Sequence, residues 1–161
     1  MYKKIFKWVF WATTVALMIC IFLLSHQVAN KSQKTSESFT RTILSVSKSF
    51  NELPEIKQTQ IIENVQFSVR KAAHFSIYVA LGISLLSAMF LTFKKRFLWL
   101  YSFIVCVLYA VSDEIHQLFV VGRSCKIGDV FIDSMGALSG ILIVLIITSL
   151  YKIKKTKKAK R

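Results

Sequence analysis

The sequence predicts an all-α integral membrane protein with four transmembrane helices, an outer amphipathic helical loop and both termini cytoplasmic. Three observations carry that expectation. Hydrophobic residues make up 54% of the 161 positions and gather into four long runs. Basic residues concentrate at the two termini and in one short link, with no acidic residue among them. Four of the eight acidic residues fall between Asp113 and Asp133, within or beside apolar segments where a charge is costly unless it faces protein, water or ligand. The formal charge of +14 would by itself suit a nucleic-acid binder. The apolar runs exclude that partner, because a basic membrane protein keeps its charges in cytoplasmic loops and tails.

The four runs set the spans at 8–24, 75–93, 97–119 and 130–151, within one domain covering 1–161. Each is long enough to cross, or nearly cross, a hydrocarbon core of ~30 Å at ~1.5 Å per residue. The third is apolar only as far as Val111 and turns polar beyond it. The first run follows Lys3, Lys4 and Lys7 and so has the outline of a signal peptide. It is read instead as a retained span. It is longer than a usual signal core, Ser25-His26-Gln27-Val28 offers no small-x-small cleavage site, and Leu17-Met18-Ile19-Cys20 is a poor lipoprotein signal.

Orientation follows from the loops. The N-terminus, the Lys94-Lys95-Arg96 link and the tail 152–161 together hold thirteen basic residues and no acidic one. The other side holds the remaining nine basic and all eight acidic residues. The positive-inside rule therefore places both termini in the cytoplasm, with Trp8, Trp11, Trp99, Tyr101 and Tyr151 near the inner boundary. The basic tail is read as a topology anchor that also meets anionic lipid heads.

The outer loop, 25–73, shows Phe39, Ile43, Val46 and Phe50 at helical spacing, ended by Pro54, then a second weak helix with Ile61, Ile62, Val65 and Val69. It is expected to form a helical hairpin on the membrane surface that caps the bundle, or a lid over the polar cluster. Cysteine is uninformative: Cys20 and Cys106 fall inside spans, and only Cys125 lies in an outer loop.

Helix arithmetic brings the polar residues together. Asp113 lies 16 residues beyond Phe97, a rise of ~24 Å. Asp133 lies 17 residues before Leu150, Ser25 lies 17 beyond Trp8 and His74 lies 19 before Phe93, giving depths of ~25–28 Å. All four helices deliver polar residues to one plane near the outer headgroups. Arg70, His74 and Tyr78 step by four along one face, as do Asp129 and Asp133, while Asp113 shares a face with His116 and Gln117. Glu114 points away from Asp113 and is expected to meet Arg70, Lys71 or His74. Gly136 and Gly140 form a GxxxG step, read as plain close packing of helices.

The simplest account of the cluster is an ion-pair network that fixes helix register, with Asp133 against Arg70 or Arg123. So many charges at one depth exceed what register needs, and three chemistries fit them. His116 or His74 with Asp113 or Glu114 can act as general acid and base. The same groups can hold a divalent metal, although no HExxH or other metal-specific spacing is present, so metal and cofactor stay open. Arg70, Lys71 and Arg123 can grip a phosphate or carboxylate.

These residues also resemble a known family. Arg70-Lys71-Ala72-Ala73-His74-Phe75, with Tyr78, Leu81 and Gly82, resembles the RKxAHFxxYxxLG motif of VanZ-like proteins. Tyr109 to Phe119, followed by Gly122-Arg123, is similar to their YAxxDExHQxFxxGR block, and Asp129, Val130, Asp133, Gly136 and Gly140 to their third. Ser25 and Gln27 are similar to the Ser-x-Gln that ends the family's first span. Val121 departs from the pattern, since many members have Pro before Gly-Arg, which leaves the turn less rigid. The resemblance implies a small bacterial membrane protein of the kind linked to reduced susceptibility to teicoplanin-type glycopeptide antibiotics. It supplies no reaction. The expectation is an outer-leaflet site that handles an anionic lipid or cell-wall precursor, with membrane lipids, a lipid-linked precursor or the glycopeptide itself as partners. The competing expectation is a membrane-embedded hydrolase or transferase. His116, Asp113, Glu114 and His74 are the candidate catalytic residues. Arg70, Lys71, Tyr78, Gln117, Arg123, Asp129, Asp133, Ser25 and Gln27 are the candidate binding residues. A proton-coupled transporter fits less well, because the charges cluster at one surface and none is left near the midplane.

Overall fold

The computed structural model describes residues 2–159. The element order is α1 (Tyr2–Ser25), α2 (Ala29–Leu44), α3 (Lys48–Asn51), α4 (Glu55–Thr92), α5 (Leu98–Gln117) and α6 (Ile127–Ala159), with no strand among the described residues. Lys160 and Arg161 of the basic tail lie outside the described residues. Four helices are long and apolar enough to cross a membrane: Lys3–Ser25, Glu55–Thr92, Leu98–Gln117 and Ile127–Lys158. Their outward faces carry Trp8, Leu23, Leu108, Phe131, Ile147 and Leu150, all exposed. In water such a surface would aggregate; in lipid it is solvated. The chain is an all-α, multi-pass membrane protein.

The inner faces form two adjoining core clusters. Ile21 of α1, Tyr78, Leu81 and Leu85 of α4, Cys106 and Ala110 of α5 and Ala137 of α6 pack together. A second cluster, Leu86, Leu98, Ile141 and Val144, continues toward the basic end. Hydroxyls and an indole tie α1 to α4: Thr14 Oγ1 and Ser84 Oγ lie 2.6 Å apart, and Trp11 Nε1 donates to Thr92 Oγ1 at 2.9 Å. Tyr109 of α5 donates to the Met18 carbonyl of α1 at 2.6 Å. Such bonds within a membrane average about 0.6 kcal/mol each, so they set register more than they hold the bundle.

One expectation is corrected here. The weak helix around Ile61–Val69 is not a separate arm of a hairpin; it runs unbroken into the second span as the 38-residue α4. Pro54 stands at the N-cap, where its missing N–H costs nothing, and no proline follows to break the ladder. At ~57 Å the helix is nearly twice the hydrocarbon thickness, so one end must stand outside the bilayer. The charged end, with Glu55, Lys57 and Glu63, is the end that suits water. There α2 packs beside it, with Thr40 of α2, Phe50 of α3 and Ile62 of α4 buried.

The closest helix pair is α4 with α6, and glycine makes it possible. A Cβ at Gly140 would overlap the Val79 carbonyl, one at Gly136 would fall 2.5 Å from the Phe75 carbonyl oxygen, and one at Gly82 would overlap the Ala137 carbonyl. Backbone cannot yield as a side chain tip can. Gly140→Ala is therefore expected to destabilise the fold by about 1–3 kcal/mol, the usual cost of overpacking. Gly128→Ala, with nothing within 4 Å of the added methyl, should be neutral. Thermal unfolding of the two variants in detergent checks this; equal melting points would refute the close contact.

Candidate functional site

At the end of the bundle opposite the basic link, the α5–α6 connection folds back over the helix ends. Arg123 N–H donates to the Val120 carbonyl at 3.1 Å, and Gly122 adopts φ 78° between them. That pairing, with a left-handed third residue, is the signature of a type II turn. Gly122 is required by its positive φ, and Val121 occupies the place where proline is favoured. The turn aims the Arg123 side chain inward. Its Nε donates to the Gln27 carbonyl at 2.9 Å, and its Nη2 donates to the Leu24 carbonyl at 3.1 Å and to Ser32 Oγ at 2.8 Å. One guanidinium thus joins the end of α1, the start of α2 and the α5–α6 loop. Burial, and Arg70 nearby, push Arg123 below its ordinary range, while Asp113 and Glu114 oppose that; an arginine stays charged regardless.

Asp113 has a different task from Glu114 beside it. Ser25 Oγ donates to Asp113 Oδ2 at 2.7 Å and Gln117 Nε2 donates to the same oxygen at 3.2 Å. This buried knot fastens α1 to α5, as the shared depth of Ser25 and Asp113 in the sequence foreshadows. Glu114 accepts from Gln117 Nε2 at 3.2 Å and from the backbone N–H of Lys126 at 2.8 Å. The expected partners of Glu114, Arg70, Lys71 or His74, are therefore replaced by the loop amide, because the α5–α6 connection returns over the end of α5.

A polar cavity of ≈ 170 Å³ lies beneath this turn. Arg70, Lys71 and His74 line it from α4, Glu114 and Gln117 from α5, Arg123, Ser124 and Lys126 from the loop, and Asp129, Ile132 and Asp133 from α6. Lys71 Nζ pairs with Asp129 Oδ1, the one ion pair among the described residues. Asp133 is 1% exposed, and neither of its carboxylate oxygens has a hydrogen-bond partner among the described residues. The expected pairing of Asp133 with Arg70 or Arg123 is absent: Arg123 is turned to α1 and α2, and Arg70 is exposed at the rim. An uncompensated carboxyl at a buried position is expensive, so this is the part of the site that most requires a ligand. The Tyr78 hydroxyl is likewise buried without a partner and lies outside the cavity wall.

His116 does not line this cavity. Its Nε2 lies 3.2 Å from His26 Nδ1, and its ring centroid lies 4.6 Å from that of Phe22. The i+3 spacing from Asp113 puts the two on one side of α5 but does not bring them into hydrogen bonding; Asp113 is taken by Ser25 and Gln117 instead. Gln27 contributes its carbonyl to Arg123, and it lines a second, mostly apolar cavity of ≈ 360 Å³ between α1, α2 and α4. Among the described residues no three His, Cys, Asp or Glu side chains come together to hold a metal ion.

Several wall residues escape a sequence reading. Lys126 carried a signal, a charge between Arg123 and Asp129, but its backbone N–H does the work. Ser32 and Ser124 carried none, since isolated serines in polar loops are ordinary. Outside the cavity, His26, the neighbour of His116, shows in the sequence only as a polar residue past the first span.

No curated protein and no solved structure matches the chain. The family model VanZ/LLP1 matches residues 10–148, from the first span to the last and across every residue of the cavity. The chain belongs to the VanZ/LLP1 family.

Proposed function

We propose that this VanZ-like protein sits in the bacterial cell membrane with its polar cavity at the outer leaflet. There it binds an anionic lipid or cell-wall precursor and so lowers susceptibility to teicoplanin-type glycopeptide antibiotics. The observation that carries this reading is the cavity itself: Arg70 and Lys71 of α4 and Arg123 and Lys126 of the α5–α6 loop converge on it from two separate segments. Arginine's planar fork suits phosphate or carboxylate, and fixed donors in a partly desolvated pocket bind an anion more strongly than surface charges do. The enzyme reading rests on one further observation, that His74 shares the cavity wall with Glu114, Asp129 and Asp133, which gives an acid–base candidate beside a binding site.

Arg70 provides the cleanest test. It is exposed and its side chain makes no hydrogen bond or ion pair among the described residues, so neutralising it should leave the fold intact. Cells expressing the wild-type chain are expected to tolerate more teicoplanin than cells without it, and Arg70→Gln, at equal membrane abundance, should lose most of that gain. A charge-assisted contact of about 1.5–3 kcal/mol corresponds to roughly a ten- to hundredfold loss of ligand affinity. Unchanged susceptibility on expressing the wild-type chain would refute the resistance role, and lipid binding undiminished in Arg70→Gln would refute the anion site.

A further inference from the structure

The two cavities are neighbours with a common wall. Ser32, Arg70, His74 and Arg123 line both. On one side of that wall are Glu114, Asp129 and Asp133 together with Lys71 and Lys126, which line only the polar cavity; Lys71 is paired with Asp129 and the Lys126 amide with Glu114, which leaves Asp133 as the carboxyl without a partner. On the other side are Ile21, Leu24, Phe39, Val69 and Ile77, which line only the apolar one. The order across the site is therefore apolar, then the two arginines, then a mixed-charge zone whose one unpartnered group is the Asp133 carboxyl. A ligand that matches it has a hydrocarbon chain, then an anion, then hydrogen-bond donors.

We infer that the apolar cavity takes a hydrocarbon chain of the molecule whose head enters the polar one, and that this molecule is a phosphodiester lipid whose head bears an ammonium or hydroxyl groups. The phosphate lies against Arg70 and Arg123 at the shared wall. The donor-bearing head reaches the unpartnered Asp133. This assignment rests on the polar cavity being a lipid-head site, and it adds the chain and the head chemistry.

Size and surroundings agree. At ≈ 360 Å³ the apolar cavity falls within the range of pockets that hold small ligands, ~300–1,000 Å³. The polar one, ≈ 170 Å³, is far larger than a single water needs and suits a small head group. Leu24 and Phe39 both line the apolar cavity and are 41% and 53% exposed, so apolar side chains at its edge reach the protein surface. A simple anion such as inorganic phosphate would leave both the apolar cavity and Asp133 unused. A lipid with a bare phosphate head would satisfy the arginines and leave Asp133 without a donor.

Native mass spectrometry of the purified protein in detergent tests the assignment. The probes are phosphatidylethanolamine, phosphatidylglycerol, a polyprenyl phosphosugar, phosphatidic acid and the chainless glycerophosphoethanolamine. One or more of the three donor-headed lipids should be retained at least about tenfold more tightly than phosphatidic acid or the chainless head, a difference of about 1.4 kcal/mol. The preferred member of the three tells a glycerolipid chain from a polyprenyl one. Ala73→Trp, which fills the apolar cavity from its α4 wall, should weaken lipid retention by about tenfold and leave the chainless head unaffected. Val69→Trp is the second filling variant should the first not fold. Asp133→Asn should bring the donor-headed lipids down to the level of phosphatidic acid; Asp133→Ser, also uncharged and smaller, is its replacement if that variant is unstable. Equal binding of lipid and chainless head, untouched by Ala73→Trp, would overturn the chain assignment and leave the polar-site reading standing. Equal retention of phosphatidic acid would overturn the donor-headed assignment. Binding of none of the probes would overturn both.

Discussion

Arg123→Gln is expected to lower stability by about 2–4 kcal/mol and to abolish ligand retention in the same step. Three hydrogen bonds leave the guanidinium, to the carbonyls of Leu24 and Gln27 and to Ser32 Oγ. Hydrogen bonds to a charged group contribute about 1.5–3 kcal/mol each, and some of that returns as water reaches the freed groups. The two carbonyls lie at and just past the last turn of α1, where intrahelical partners run out, so Arg123 supplies what the helix end lacks. Glutamine is shorter, neutral and has two donors on one nitrogen, and cannot span the same three acceptors. Arg123→Lys separates the two roles. It restores the charge but not the fork, so it should recover part of the anion binding and little of the stability. Thermal unfolding followed by tryptophan fluorescence, with lipid retention measured in parallel, checks both. An Arg123→Gln protein that unfolds at the wild-type temperature would show that the turn is held by its backbone alone.

The spans were legible because hydrophobicity over ~20 residues is a strong signal, and the bilayer allows few other structures. The GxxxG step was legible for a similar reason: Gly136 and Gly140 serve only the close approach of α6 to α4. What failed to read was local. Between Glu55 and Phe75 the sequence turns polar, and that polarity looks like a loop whether the helix stops or simply leaves the bilayer. Only the absence of any proline or glycine after Pro54 until Gly82 hinted that α4 continues.

For the site, helical spacing grouped the residues by depth correctly but not by partner. Ser25 and Asp113 fell at one depth and are bonded. Glu114 and Asp133 fell beside basic residues and are not paired with them, because pairing depends on a loop whose path no periodicity encodes. The turn at Gly122 swings Arg123 toward α1 and places the Lys126 amide over Glu114. A handful of residues without regular structure thus decided which charges met.

His74→Gln should damage function far more than His116→Gln, although His116 has Asp113 one turn away on its own face of α5. In the folded chain Asp113 is spent on Ser25 and Gln117, and His116 stacks on His26 and lies against Phe22 outside the cavity. His74 lies on the wall shared by both cavities, at the junction of the basic and apolar zones where a lipid phosphate would sit. If the site moves a proton, removing the imidazole costs about 10²–10⁴ in rate, and glutamine, which cannot titrate, restores none of it. If the site only binds, glutamine keeps a donor of similar reach, and the loss should stay within about tenfold. The size of the His74→Gln effect therefore separates enzyme from binder, while His116→Gln reports whether the cavity is the right place at all. Purified protein in lipid, assayed for binding and turnover of phospholipid and cell-wall lipid with and without a chelator, gives both readings. A His116→Gln protein that loses function while His74→Gln keeps it would move the site out of the cavity and onto the His26–His116 pair.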